Sequence, residues 1–94
     1  MIEIELDIKD VKRLNLRHHN ISTVCENTLN MIANLEELNL QRNFLVKFNK
    51  NTFNGLVSLR ELYLDNNEIN SIDGQLFTEL INLTDLRLDA NKIE

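Results

Sequence analysis

Between Leu35 and Phe48 the recurring apolar positions are Leu35, Leu38, Leu40, Leu45 and Phe48, with a single asparagine, Asn43, set among them. That spacing fits no helical stripe, and only Leu38-Asn39-Leu40 alternates as a strand does. A short strand over Glu37–Gln41 is expected, with Leu38 and Leu40 pointing inward and Asn39 outward. The remainder reads as a turn that buries its side chains. One such unit cannot be stable alone, so its meaning depends on whether it recurs.

It recurs at a constant step of 24 residues. The first copy reads Val11, Leu14, Leu16, His19, Ile21, Val24, Leu29, Ile32. The second is Leu35, Leu38, Leu40, Asn43, Leu45, Phe48, Phe53, Leu56, and the third is Leu59, Leu62, Leu64, Asn67, Ile69, Ile72, Phe77, Leu80. The fourth runs Leu83, Leu86, Leu88, Asn91, Ile93. No insertion or deletion breaks the register. The repeats are therefore 11–34, 35–58, 59–82 and an incomplete 83–94. A fixed period of this length is the signature of a stacked repeat array.

The pattern L-x-x-L-x-L-x-x-N-x-L resembles the leucine-rich repeat. Phe53 and Phe77 resemble the 24-residue class common in extracellular proteins, including Toll-like receptors, Slit-type proteins and secreted insect immune proteins. The resemblance covers residues 11–94. It implies an α/β solenoid with a parallel β-sheet on the concave face and short helical or irregular convex returns. It also implies a non-enzymatic protein-binding module in an extracellular recognition or immune setting. The cysteine-rich flanking caps typical of that class are not seen in this sequence.

The physics agrees. A buried asparagine without partners is costly, so Asn43, Asn67 and Asn91 are expected to stack as a ladder that bonds the backbone of the turns. His19 takes this position in repeat one and is expected to substitute as a hydrogen-bonding side chain. Phe53 and Phe77 are expected to stack, and Asp73–Ile81 is a candidate for one helical or 3₁₀ turn with Asp73 as its N-cap. In residues 1–10, Ile2, Ile4, Leu6 and Ile8 alternate with Glu3, Glu5 and Asp7. This predicts a strand that caps the first repeat. Repeat four leaves Leu83, Leu86, Leu88 and Ile93 open on one side. A longer solenoid, pairing of two copies through this repeat, and a frayed end all fit that feature.

Composition narrows the function classes. The net charge of −5 argues against nucleic acid as a partner, because phosphate contact needs a basic face. No apolar run approaches the ~20 residues of a membrane span. One cysteine, Cys25, rules out an intramolecular disulfide and leaves a free thiol or an intermolecular bridge. His18 and His19 have no metal-ligand spacing around them, and two glycines make no phosphate loop. No catalytic residue, cofactor or metal is expected.

Binding is expected instead on the outward strand positions, which fall into three columns. These are Arg13, Glu37, Glu61, Asp85; then Asn15, Asn39, Tyr63, Arg87; then Arg17, Gln41, Asp65, Asp89. Tyr63 is the best anchor. Phe44 interrupts the otherwise polar set Asn20, Glu68 and Lys92, and so is a further contact candidate. Asn20-Ile21-Ser22 and Asn82-Leu83-Thr84 are glycan acceptor motifs in a secretory setting.

Overall fold

The computed structural model describes residues 10–93. The strand expected at the N-terminus lies outside the described residues, apart from Asp10. Each repeat contributes one three-residue strand: β1 (Arg13–Asn15), β2 (Glu37–Asn39), β3 (Glu61–Tyr63) and β4 (Asp85–Arg87). They form one parallel sheet in chain order. Leu14, Leu38, Leu62 and Leu86 lie in register across it. The solenoid is thus a direct copy of the 24-residue period. The strands end one residue before the second leucine of each L-x-L, yet the ladder continues. Leu16 N–H donates to Asn39 O at 2.8 Å, Leu40 N–H to Tyr63 O at 2.9 Å, and Leu64 N–H to Arg87 O at 2.9 Å.

The turn that follows each strand is held by its asparagine. Asn67 Nδ2 donates to Leu64 O and Asp65 O of its own turn and to Leu40 O of the preceding repeat. Its Oδ1 accepts Leu45 N–H at 3.1 Å. Asn43 repeats this with Leu40 O, Gln41 O and Leu16 O, and accepts from His19 and Ile21. Asn91 does the same with Leu88 O, Asp89 O, Leu64 O and Ile69 N–H. One amide therefore closes its own turn and ties it to the turn before. His19 does not reproduce this. It is exposed, and only its backbone N–H joins the ladder, donating to Asn43 Oδ1. An imidazole cannot offer two donors and an acceptor from one end of the side chain, as an amide does.

The same turns force a second regularity. His18, Arg42, Asn66 and Ala90, the residues just before the ladder position, have φ of 59°, 56°, 57° and 54°. None is glycine, so each carries the steric cost of the left-handed region. Such backbone persists where its surroundings over-determine it, and here the ladder does so: Asn43, Asn67 and Asn91 close their own turns, and the first turn is held by Asn43 of the next repeat.

The core lies between the sheet and the returns. Leu35, Leu38, Leu45, Phe53, Leu56, Leu59, Leu62, Leu64 and Ile69 are fully buried. Phe53 stacks on Phe77 with ring centroids 6.0 Å apart and meets Phe48 at 5.3 Å. This extends the expected aromatic spine by one ring. The returns are chains of tight turns, such as Thr52 N–H to Asn49 O and Leu80 N–H to Phe77 O. The one 3₁₀ helix among the described residues is Leu29–Ile32, in repeat one. Over 73–81 the backbone makes separate turns instead. There the Asp73 carboxylate accepts Gln75 N–H at 2.8 Å and Thr78 Oγ1 donates to Gln75 O. Side chains that bond nearby backbone groups compete with a continuous helix.

Asn67→Ala should lower the unfolding free energy by on the order of 3 kcal/mol, because it strands several buried backbone groups. Asn91→Ala should cost about 1 kcal/mol, since its surroundings are wetter. Urea midpoints at constant m-value check both. Equal losses would contradict a ladder whose worth scales with burial.

Candidate partner-binding face

The sheet exposes one face. Strand register brings Arg13, Glu37, Glu61 and Asp85 into one row and Asn15, Asn39, Tyr63 and Arg87 into the next. Arg17, Gln41, Asp65 and Asp89 follow in the turn, where His18 N–H donates to Gln41 O, Arg42 N–H to Asp65 O and Asn66 N–H to Asp89 O. The inward leucines fix these positions, because a one-residue slip would bury the charges and expose the core.

Tyr63 stands at the centre. The Arg87 guanidinium carbon lies 4.6 Å from its ring centroid, within cation–π range. Arg87 also pairs with Asp85 at 3.5 Å, and Arg13 reaches Glu37 at 3.7 Å. Glu61 sits between Glu37 and Asp85 on adjacent strands, so three carboxylates follow one another at about the 4.8 Å strand spacing. Like charges in neighbouring strand positions repel. The effect reaches Tyr63. Burial, then the charge of Glu61 and hydrogen bonding to it, then Asp85 and Glu37, all push its phenol pKa up. Asp85 first of all holds the Arg87 pKa up as well.

The third row behaves differently. Asp65 is buried, with both carboxylate oxygens 3.0 Å from Gln41 Nε2 and one taken by Asn66 Nδ2. Asp65 and Gln41 thereby brace neighbouring turns, while Arg17 and Asp89 are exposed. Asn15 and Asn39 each accept a backbone N–H two residues on, from Arg17 and Gln41. Phe44 lies off the strands in the turn after β2 and is 53% exposed.

A groove of about 660 Å³ along the flank was not foreseen from the sequence. Lys12, Glu36, Arg60 and Thr84, each just before a strand, contribute to its lining. The signal was there as a fourth polar column at the same step. Among the described residues, no three His, Cys, Asp or Glu side chains form a group that could hold a metal ion, and no helix is long and apolar enough to cross a membrane. Cys25 is an exposed free thiol.

Tyr63 is the only tyrosine, and tryptophan is absent, so tyrosinate absorbance reports on it alone. Its midpoint should lie above that of a free tyrosine, and Glu61→Gln should bring it down. The fold favours the protonated phenol, so Tyr63's contribution to stability is complete below the unfolded-state pKa and is lost as pH rises through the folded one. An unchanged midpoint in Glu61→Gln would remove Glu61 as a cause.

The family model for the leucine rich repeat matches twice, over residues 9–69 and 33–93. No match to a curated protein sequence was found. Among solved structures, the chain is similar to the TLR13 receptor in its complex with the single-stranded RNA ssRNA13, with 34% identity and a TM-score of 0.81. That alignment covers 85% of this chain and 11% of the receptor chain. It is also similar to a chain of the Drosophila Toll–Spatzle complex, a hub in development and innate immunity, with 28% identity and a TM-score of 0.80 over 85% of this chain and 10% of that one. The chain thus spans about a tenth of the length of these structures. With the repeat matched from residue 9 to residue 93, the chain belongs to the leucine-rich repeat family.

Proposed function

We propose that the chain is a non-enzymatic module that binds a protein partner through its concave sheet face, in an extracellular recognition role of the immune type. The observation that carries this reading is the bare face of the parallel sheet around Tyr63. Parallel sheets are ordinarily covered on both faces. Here one face is packed on the leucine core, and the other carries an aromatic ring under a guanidinium, set among carboxylates. Tyrosine and arginine are the residue types that dominate binding energy at protein interfaces. A lysine or arginine from a partner would relieve the repulsion along Glu37, Glu61 and Asp85.

The two structural relatives supply context. Toll is seen with Spatzle and TLR13 with single-stranded RNA. For this chain a protein is the better occupant, because the acidic row would repel phosphates. Arg13, Asn15, Arg17, Glu37, Asn39, Glu61, Tyr63, Asp85, Arg87 and Asp89 make up the contact surface, with Tyr63 as anchor. Gln41 and Asp65 shape its edge.

A second reading is association of two copies through repeat four. It is favoured by Leu86 and Ile93, which are 38% and 44% exposed, whereas Leu38 and Leu62 are 0% exposed. Sedimentation at increasing concentration separates the two. A monomer that still captures its partner supports the concave face, and a dimer broken by Leu86→Lys supports the alternative.

With the captured partner in hand, Tyr63→Ala should weaken binding by about 2 kcal/mol, as truncation of a hot spot does. Glu61→Lys should weaken it too, and Lys47→Ala, on the return side, should not. Calorimetry or surface resonance reads all three. Full affinity in both Tyr63→Ala and Glu61→Lys would move the binding site off this face.

A further inference from the structure

The two Asn-X-Ser/Thr motifs are alike in sequence and both are exposed, but their side chains are bonded differently. At Asn82, Nδ2 donates to Val57 O at 2.7 Å, and Thr84 Oγ1 donates to Arg60 O at 3.2 Å. Both polar side chains of that motif tie repeat four to repeat three. A sugar on Nδ2 would replace one of its two hydrogens and compete with the bond to Val57 O. At Asn20, by contrast, the side chain is exposed and makes no hydrogen bond among the described residues. Its backbone turns through φ 58°, and it keeps its place in the column it shares with Phe44, Glu68 and Lys92. Ser22 is exposed as well. The turn does not need the Asn20 amide. Ile21 N–H donates to Asn43 Oδ1 at 3.0 Å, and Ile21 O accepts Phe44 N–H at 2.8 Å.

That last bond places the next observation. Phe44 is the equivalent of Asn20 one repeat on, about 4.8 Å away by the stacking of parallel chains. Its ring is half exposed in a column that is otherwise Asn20, Glu68 and Lys92, with Lys92 paired to Glu68. A pyranose has one face of axial C–H groups, which suits the negative face of an aromatic ring.

We infer that Asn20 is the acceptor of an N-linked glycan whose innermost N-acetylglucosamine lies over Phe44, and that Asn82 stays bare in the folded protein. In the transfer, a bond forms between Asn20 Nδ2 and the sugar anomeric carbon. Nδ2 loses one proton, and the lipid pyrophosphate of the oligosaccharide donor departs as the leaving group. The product is a neutral amide, so the step creates no charge on the protein. In nature the modification rests on the extracellular reading. The fit of the site does not, because a supplied leader can take the chain through a secretory pathway.

The test is expression of residues 1–94 behind such a leader in a eukaryotic cell, with glycopeptide mapping of the folded, secreted product. Sugar on Asn20 with Asn82 unmodified is expected, and Asn20→Gln should abolish the single glycan mass. A bare Asn20, or a folded product with sugar on Asn82, would overturn the assignment. So would retention in the cell of chains glycosylated only at Asn20, because a compatible site does not block folding. After trimming to a single N-acetylglucosamine, the wild-type chain should melt a few degrees above the same chain made without glycosylation in bacteria, which keeps Asn20 as an amide. In Phe44→Ala that gap should vanish, and an undiminished gap would remove Phe44 from the site.

Discussion

The fold depends on a carboxamide that serves two turns at once. Buried backbone groups must be paired, and a 24-residue coil leaves several unpaired wherever the chain leaves its strand. Asn43, Asn67 and Asn91 satisfy them by donating to their own turn and to the turn before. An aspartate could not donate, and a leucine could do neither. The stretch from strand to asparagine is therefore fixed in length, because an insertion there would shift the amide off its partners. The leucine and phenylalanine core supplies most of the driving force. The asparagines decide that it is buried in this one register.

Much of this was legible in the sequence. A strict period specifies strand order, parallel pairing and the inward residues together, and every strand forms where the L-x-L pattern sits. The ladder was legible because polarity at a buried position demands partners. The position occupied by His19 was not, because the pattern shows that a polar residue is present but not whether it can donate and accept from one end. The convex returns were harder still. Local bonds from Asp73 and Thr78 compete with a helix over 73–81, and no periodicity reports that competition. For the candidate face, alternation gave the columns, but not that Asp65 would be held by Gln41 and Asn66 while Tyr63 lay under Arg87. Those contacts depend on side-chain rotamers, which alternation does not specify.

The division of labour has a clear physical basis. Side chains that face inward answer to packing density, where volume changes are costly. Those on the sheet's open face answer to solvent and screening, where ion pairs such as Arg13–Glu37 contribute little to stability. Folding constrains that face mainly at Asn15, Asn39, Gln41 and Asp65, which bond the turns. A glycan on the flank beside Phe44 would stand clear of the strand rows and leave them open to a partner.

The left-handed residue before each ladder position carries one more implication. His18, Arg42, Asn66 and Ala90 share a backbone shape but almost no chemistry. The conformation recurs at this one position of the repeat whatever its side chain, so mutation at these sites meets little constraint from side-chain identity. Selection can rewrite the rim of the sheet one repeat at a time, exchanging a ring, a cation, an amide or a methyl group, while the spine that carries it is inherited unchanged.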